Sequence, residues 1–340
     1  MKKNIFILFI CLFAGFQGVK AQFDTQLSNY WATTNYFNPG SVGQSGNLEL
    51  TGLYRLQWLG IENAPKSGIV LAEMPFNFAG RNHGVGASMY NDQLGLFKST
   101  VISGQYAYMT KLWGGNLGIG IQAGYIQESF DGTGIDIPID DEYHDPNDEA
   151  IPTTKVSGSS IDASFGIYYK GKKWYAGLSA THLLAPKLEL DDNYILEIPR
   201  SYYFTAGYNI QLNNPLLELR PSVLLRTTEL SSWTVEGDSL TSVTESNTLK
   251  GMLKQSQIDV SLRMIYNKTF WGGISWRKGD ALMILLGGKF KMLEVGYAYD
   301  FPISDIIKES SGSHELFVKY VLDMNLKKGT KSKHKSVRIL

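Results

Sequence analysis

The strongest constraint on the fold is a period of two in side-chain character that recurs along most of the chain. It is clearest in Leu293 to Leu322, LEVGYAYDFPISDIIKESSGSHELFVKYVL. In the first arm Leu293, Val295, Tyr297 and Tyr299 share one face, with Glu294, Gly296, Ala298 and Asp300 on the other. The second arm sets Leu316, Val318, Tyr320 and Leu322 against Glu315, Phe317, Lys319 and Val321. Successive side chains of an extended strand point to opposite faces, so each arm is expected to be a strand and the pair a closing hairpin.

The same alternation runs back to Asn47, where Leu48, Leu50, Tyr54, Leu56 and Trp58 oppose Asn47, Glu49, Thr51, Arg55 and Gln57. Further strands are expected near 67–74, 84–91, 98–109, 116–127, 160–170, 173–182, 201–211, 217–226, 257–265, 269–277, 281–290, 291–299 and 314–324, bounded by Gly, Asn, Asp or Pro. That makes about fourteen. In the fifth, Leu117, Ile119, Ile121, Ala123 and Tyr125 alternate with Asn116, Gly118, Gly120, Gln122 and Gly124. An all-β antiparallel barrel follows, closed between first and last strands.

Whether its outside meets water or lipid is decided by other features. The start, MKKNIFILFICLFAGFQGVKA, has Lys2 and Lys3, an apolar run and small residues at its end, the pattern of a signal peptide over residues 1–21. Cys11, the only cysteine, lies inside it, so no disulfide is expected in the mature chain. Hydrophobic residues make up 43% of the chain, the value of a soluble protein, and a membrane barrel would look the same because only alternate strand residues face lipid. Long gaps at 128–159, 183–200, 227–256 and 300–313 all follow odd-numbered strands, and the gaps after even strands are brief. Outer-membrane barrels carry their long loops on the extracellular side, so this parity predicts a transmembrane β-barrel over 47–324 with both termini in the periplasm. Trp113, Trp174 and Trp271 fall beside the short turns and Trp58 and Trp276 near the other rim, as an interfacial aromatic girdle would. Residues 22–46 then form a periplasmic leader, packed into the barrel mouth, and 325–340 a basic periplasmic tail with six Lys or Arg and no acid.

Signs of catalysis are absent from the sequence. The five histidines lack metal-ligand spacing, and no Gly-x-Ser-x-Gly elbow or phosphate-binding loop occurs. Gly118, Gly120 and Gly124 sit inside an alternating strand, which fits small lumen-facing residues better than a dinucleotide loop. The acidic loop holding Asp140, Asp141, Glu142, Asp145 and Asp148 has oxygen enough for calcium without the regular spacing of a calcium loop, and a solvated loop explains it more simply. Removing three lysines with residues 1–21 from a balance of 32 bases and 32 acids leaves a mature charge near −3, with no nucleic-acid footprint.

YFNPGSVG in the leader, YRLQWLGIENAPKS in the first strand, GVGASMYNDQLGLF, and YAYDFPIS followed by GSHELFVKY give the chain its resemblance to a known family. It resembles the PorP/SprF outer-membrane proteins of the type IX secretion and gliding machinery of Bacteroidetes. Asn38-Pro39-Gly40 departs from the family's usual Asn-Pro-Ala. The resemblance implies a non-enzymatic barrel without cofactor that assists export or surface attachment of cargo, typically a large adhesin with a C-terminal sorting domain, beside periplasmic ring components and the lipid bilayer. Carried over with it are the motif residues Gly40, Pro65, Asn91 and Gly95, and, as candidate partner-binding residues, Asn38, Pro39, Arg55, Gln57, Trp58, Asp92, Asp300, Pro302, Ser313, His314 and Glu315, each also open to a structural role. The competing reading is a diffusion channel or solute transporter, whose lumen would carry Arg55, Asp162, Arg220, Arg226, Asp259 and Arg263.

Overall fold

A computed structural model describes residues 24–134, 154–191, 194–229, 232–236, 239–243 and 256–324. The expected signal peptide, the acidic loop with Asp140 to Asp148 and the basic tail lie outside these residues.

Fourteen antiparallel strands form one closed sheet. The first seven are β1 (Asn47–Leu56), β2 (Lys66–Phe78), β3 (Arg81–Leu94), β4 (Phe97–Leu112), β5 (Gly115–Asp131), β6 (Lys155–Lys170) and β7 (Trp174–Thr181). The eighth, β8 (Ser201–Tyr208), is continued by Ile210–Gln211, which also pairs with the next strand. The rest are β9 (Leu217–Thr228), β10 (Gln257–Tyr266), β11 (Phe270–Arg277), β12 (Ala281–Phe290), β13 (Leu293–Pro302) and β14 (Ser313–Asp323). Each pairs with its sequence neighbour, and β1 pairs with β14 in the register Leu50↔Tyr320 to close the ring. Closure leaves no free edge through the bilayer, where an unpaired backbone group would be costly.

The alternation sorts side chains as the sequence indicates. Val70, Ile121 and Leu286 point outward and are 60%, 58% and 56% exposed, an arrangement suited to lipid and ill suited to water. Leu53, Ile69, Met283, Leu285 and Phe317 point inward and are buried. Two-residue turns join several strands at one end: Ala79-Gly80 and Trp113-Gly114 have positive φ at both positions, the twist that a tight hairpin requires. At the opposite end lie the long connections after β5, β7, β9 and β13, so all four expected long loops share one rim.

The girdle needs one correction. Trp113 and Trp174 are exposed beside short turns, but Trp271 faces the lumen and is buried against Phe317. Its position in β11 shares the inward parity of Ser275 and Arg277, and strand parity outranks nearness to a turn.

At the long-loop end the wall rises beyond the bilayer. β4, β5 and β6 run 16, 17 and 16 residues, where roughly 9–11 span a membrane. A small hairpin, Lys187–Asp191 with Tyr194–Glu197, packs on this extension, burying Leu188 and Ile198 against Ile126. Within the β7–β8 loop, apolar residues thus form a second, minor core.

Candidate functional site: a leader threaded through the lumen

The leader packs into the barrel lumen. It folds into short helical turns at Tyr30–Ala32, Thr34–Phe37 and Pro39–Ser41, and Asn29, Tyr30, Phe37, Asn38 and Val42 are almost wholly buried. A segment surrounded by wall on every side has no single apolar face, which is why its sequence shows no period. It was expected at the short-turn mouth; instead it runs the length of the lumen. Beside its outer half the remaining spaces hold about 20 and 40 Å³, room for a water or two, and wider spaces of about 110 and 470 Å³ lie beside its inner half.

Four sets of contacts hold it. The first is a chain of alternating charges across the inner wall. Arg55 of β1 reaches Asp300 of β13 at 2.7 Å and Glu315 of β14 at 3.3 Å. Arg277 of β11 lies 3.8 Å from the same Asp300, 3.0 Å from Asp259 of β10 and 3.4 Å from Asp280. Acids outnumber bases here, and the leader supplies the missing donors. The Ser28 and Asn29 backbone N–H groups donate to Glu315 at 2.8 and 2.7 Å, and the Ser28 hydroxyl donates to Asp300 at 2.8 Å. Arg277 in turn donates to the Leu27 carbonyl at 3.1 Å. Buried charges are tolerable only when paired and fully hydrogen-bonded, so wall and leader complete each other.

The second set is aromatic. Trp31 stands edge-on to Trp271 (5.0 Å) and Phe317 (5.6 Å), with the Arg263 guanidinium 3.4 Å from its ring centroid. That is a desolvated cation–π contact. Phe37 stacks on Tyr203 of β8 at 5.2 Å, and the Tyr30 hydroxyl meets Ser222 of β9 at 2.9 Å.

The third set explains the glycines. The Asn38-Pro39-Gly40 turn is self-braced, Gly40 N–H donating to the Asn38 side-chain oxygen at 2.9 Å. The Asn38 amide also donates to the carbonyls of Ile167 on β6 and Leu178 on β7, at 3.2 and 3.3 Å. Backbone presses on backbone: a Cβ at Gly118 would overlap the Gly40 carbonyl, one at Gly120 the Pro39 carbonyl, and one at Gly166 the Asn38 side chain. The small-residue face of β5 is a seat for this turn. Gly120→Leu is expected to push the turn off the wall at a cost of about 1–3 kcal/mol. Limited proteolysis should then cut the leader at Tyr36-Phe37, which the native barrel protects.

The fourth set pins the leader's start. Asp24 accepts from Tyr203 at 2.5 Å and pairs with His182 at 3.1 Å, and His182 also bonds Asp162 at 2.8 Å. Burial opposes charge on His182, but the Asp24 carboxylate, and after it the hydrogen bond to Asp162, push its pKa from 6.5 up to about 10. The folded value exceeds the unfolded one, so the stabilisation is complete below pH 6.5 and is lost as pH rises through about 10. Leader accessibility to protease is therefore expected to rise on the alkaline side. His182→Gln should bring that loosening to neutral pH, costing about 1.5–3 kcal/mol.

The residues singled out from the sequence divide into two groups. Asn38, Pro39, Arg55, Asp300 and Glu315 are buried and hold the leader, and Asp92 accepts from Ser67 at 2.5 Å and from Thr25 at 3.5 Å. The others knit the long-loop rim. Trp58 N–H donates to Ser313 Oγ at 3.1 Å, Gln57 N–H to the Pro65 carbonyl at 3.0 Å, and Gly95 N–H to the Asn63 carbonyl at 3.0 Å. Pro302 is buried, His314 is half-buried against the Tyr297 hydroxyl at 2.6 Å, and Asn91 donates to Thr100 at 2.9 Å. Of the expected lumen charges, Asp162, Arg226, Asp259 and Arg263 are buried, and Arg220 pairs with Glu218 at 2.9 Å nearer the short turns. Sequence reasoning passed over Arg277, Asp24 and His182. Arg277 shares the parity of lumen-facing Ser275 and was legible; Asp24 lies in the aperiodic leader, and His182, expected to end the 173–182 strand, instead follows β7 with a positive φ that no alternation records.

A closed, lipid-facing antiparallel barrel with its own amino-terminal segment packed in the lumen defines a plugged outer-membrane β-barrel. Similar solved structures include a Pseudomonas aeruginosa FadL homologue (11% identity, TM-score 0.41, covering 82% of this chain and 88% of that one). The Pseudomonas putida toluene transporter TodX gives 9% identity and a TM-score of 0.45, covering 88% and 95%. No curated relative matches the chain. The family model for the type IX secretion system membrane protein PorP/SprF matches residues 19–320, and the chain belongs to that family.

Proposed function

We propose that this barrel is a non-enzymatic accessory of type IX secretion that assists export or surface attachment of a specific cargo, a large adhesin with a C-terminal sorting domain, with periplasmic ring components on its other side. Family membership supplies the secretion context. The observation that carries the accessory reading is the filled lumen: leader residues bond to β1, β6, β7, β9, β11, β13 and β14 at once, which suits a sealed docking body and not a conducting pore. Cargo is then met at the long-loop rim. There Leu59, Ile303 and Ile307 are exposed beside half-buried Trp58 and His314, on loops stitched together by Leu59 N–H to Gly312 and Ser311 N–H to Leu59, both at 2.7 Å.

The test is deletion of the gene in its native host. One large adhesin should vanish from the cell surface while uptake of small solutes stays normal, and pull-down from native membranes should recover that adhesin with secretion components. Steady, solute-selective conductance from the purified full-length barrel in planar bilayers would favour the channel reading instead.

A further inference from the structure

We infer that the leader is threaded outward, so that the amino-terminal end of the barrel lies at the long-loop mouth, on the cell-surface side. This stands independently of the cargo's identity.

The two ends of the leader touch opposite ends of the barrel. Thr25 bonds Ser67, the second residue of β2, at 2.8 Å, and Asp92, two residues before the end of β3. Asp24 bonds His182, which follows the last residue of β7, and Tyr203, the third residue of β8. Its carbonyl accepts from Arg226, near the end of β9, at 2.7 Å. β2 and β8 begin, and β3, β7 and β9 end, at the long-loop rim. At the leader's other end, the Gln44 carbonyl accepts from Lys170, the last residue of β6, at 3.1 Å, and Gly43 lies against Gly84 and Pro75 near the β2–β3 turn. These are short-turn positions, where β1 must begin.

The chain therefore enters the lumen from the outer mouth, descends through it and turns into β1 at the inner mouth. The placement is fixed by side chains of four wall strands and the start of the β7–β8 loop, so it does not depend on any one contact.

Single cysteines test the topology on intact cells, in a Cys11→Ser background, with a membrane-impermeant maleimide. Gln22→Cys should label as fully as Lys308→Cys in the exposed β13–β14 loop. Lys172→Cys, in the exposed turn between β6 and β7, should label only after the outer membrane is permeabilised. The inference is overturned if Gln22→Cys follows Lys172→Cys, or stays unlabelled in both conditions, or if Lys308→Cys needs permeabilisation. A Thr25→Cys/Ser67→Cys pair checks the threading separately from the orientation. Oxidation should cross-link it in the purified barrel; a barrel with native heat-modifiable mobility that fails to cross-link would refute the threading.

Discussion

Deleting residues 24–45 is expected to convert a closed barrel into a conducting one. Fourteen strands enclose a space that the leader occupies with Leu27, Tyr30, Trp31, Tyr36 and Phe37, and removing those side chains leaves a lumen lined by Ser, Gln, Gly and charged groups, which fills with water. Planar bilayers should show steady open-channel steps absent from the full-length protein, and cells carrying the deletion should become sensitive to large hydrophilic antibiotics. Retained heat-modifiable mobility on gels would show that the wall is intact. A folded, leaderless barrel that stays silent would mean that the leader is not what seals the lumen. Gly120→Leu, which displaces only the Asn38-Pro39-Gly40 turn, should give intermittent openings in the same assay, since the Ser28 and Asn29 contacts lie away from that seat.

The largest effect of a single substitution is expected at Arg55. It lies between Asp300 and Glu315, all three at most 2% exposed, and Arg55→Met leaves the two carboxylates facing one another with only Arg277 near one of them. Breaking a buried pair by removing one partner costs about 3–5 kcal/mol. Much of that cost falls on the leader, because Ser28 and Asn29 bind through the same carboxylates. A lowered unfolding temperature and chymotryptic cleavage near Tyr30 should appear together. Arg55→Met combined with Glu315→Gln should recover part of the loss, as neutralising the partner removes an uncompensated charge. Equal losses for the single and double variants would show that Arg55 acts through packing alone.

Fold and site were legible in the sequence to different degrees, for physical reasons. Strand parity in a closed sheet is local: each residue faces lipid or lumen according to its place in a period of two. The strand count, the single rim of long loops and the lumen positions of Arg55, Asp162 and Asp259 all follow from it. Even the glycines of β5 could be assigned to the lumen face. What they face could not be, since Gly118 and Gly120 meet a turn about eighty residues earlier in the chain, and no local pattern records that approach.

The alternation around Leu293 to Leu322 determined by itself that this stretch is a hairpin with two distinct faces, because side-chain direction along a strand is fixed by covalent geometry, and the loop lengths and the exported start of the chain pointed to lipid. Only the tertiary structure decided that the lumen is filled by residues 24–46, with Arg55, Asp300 and Glu315 turned inward to hold them. The leader's contacts run to nearly every strand of the wall and its own residues have no period, so its course is set by the shape and charge of the completed wall.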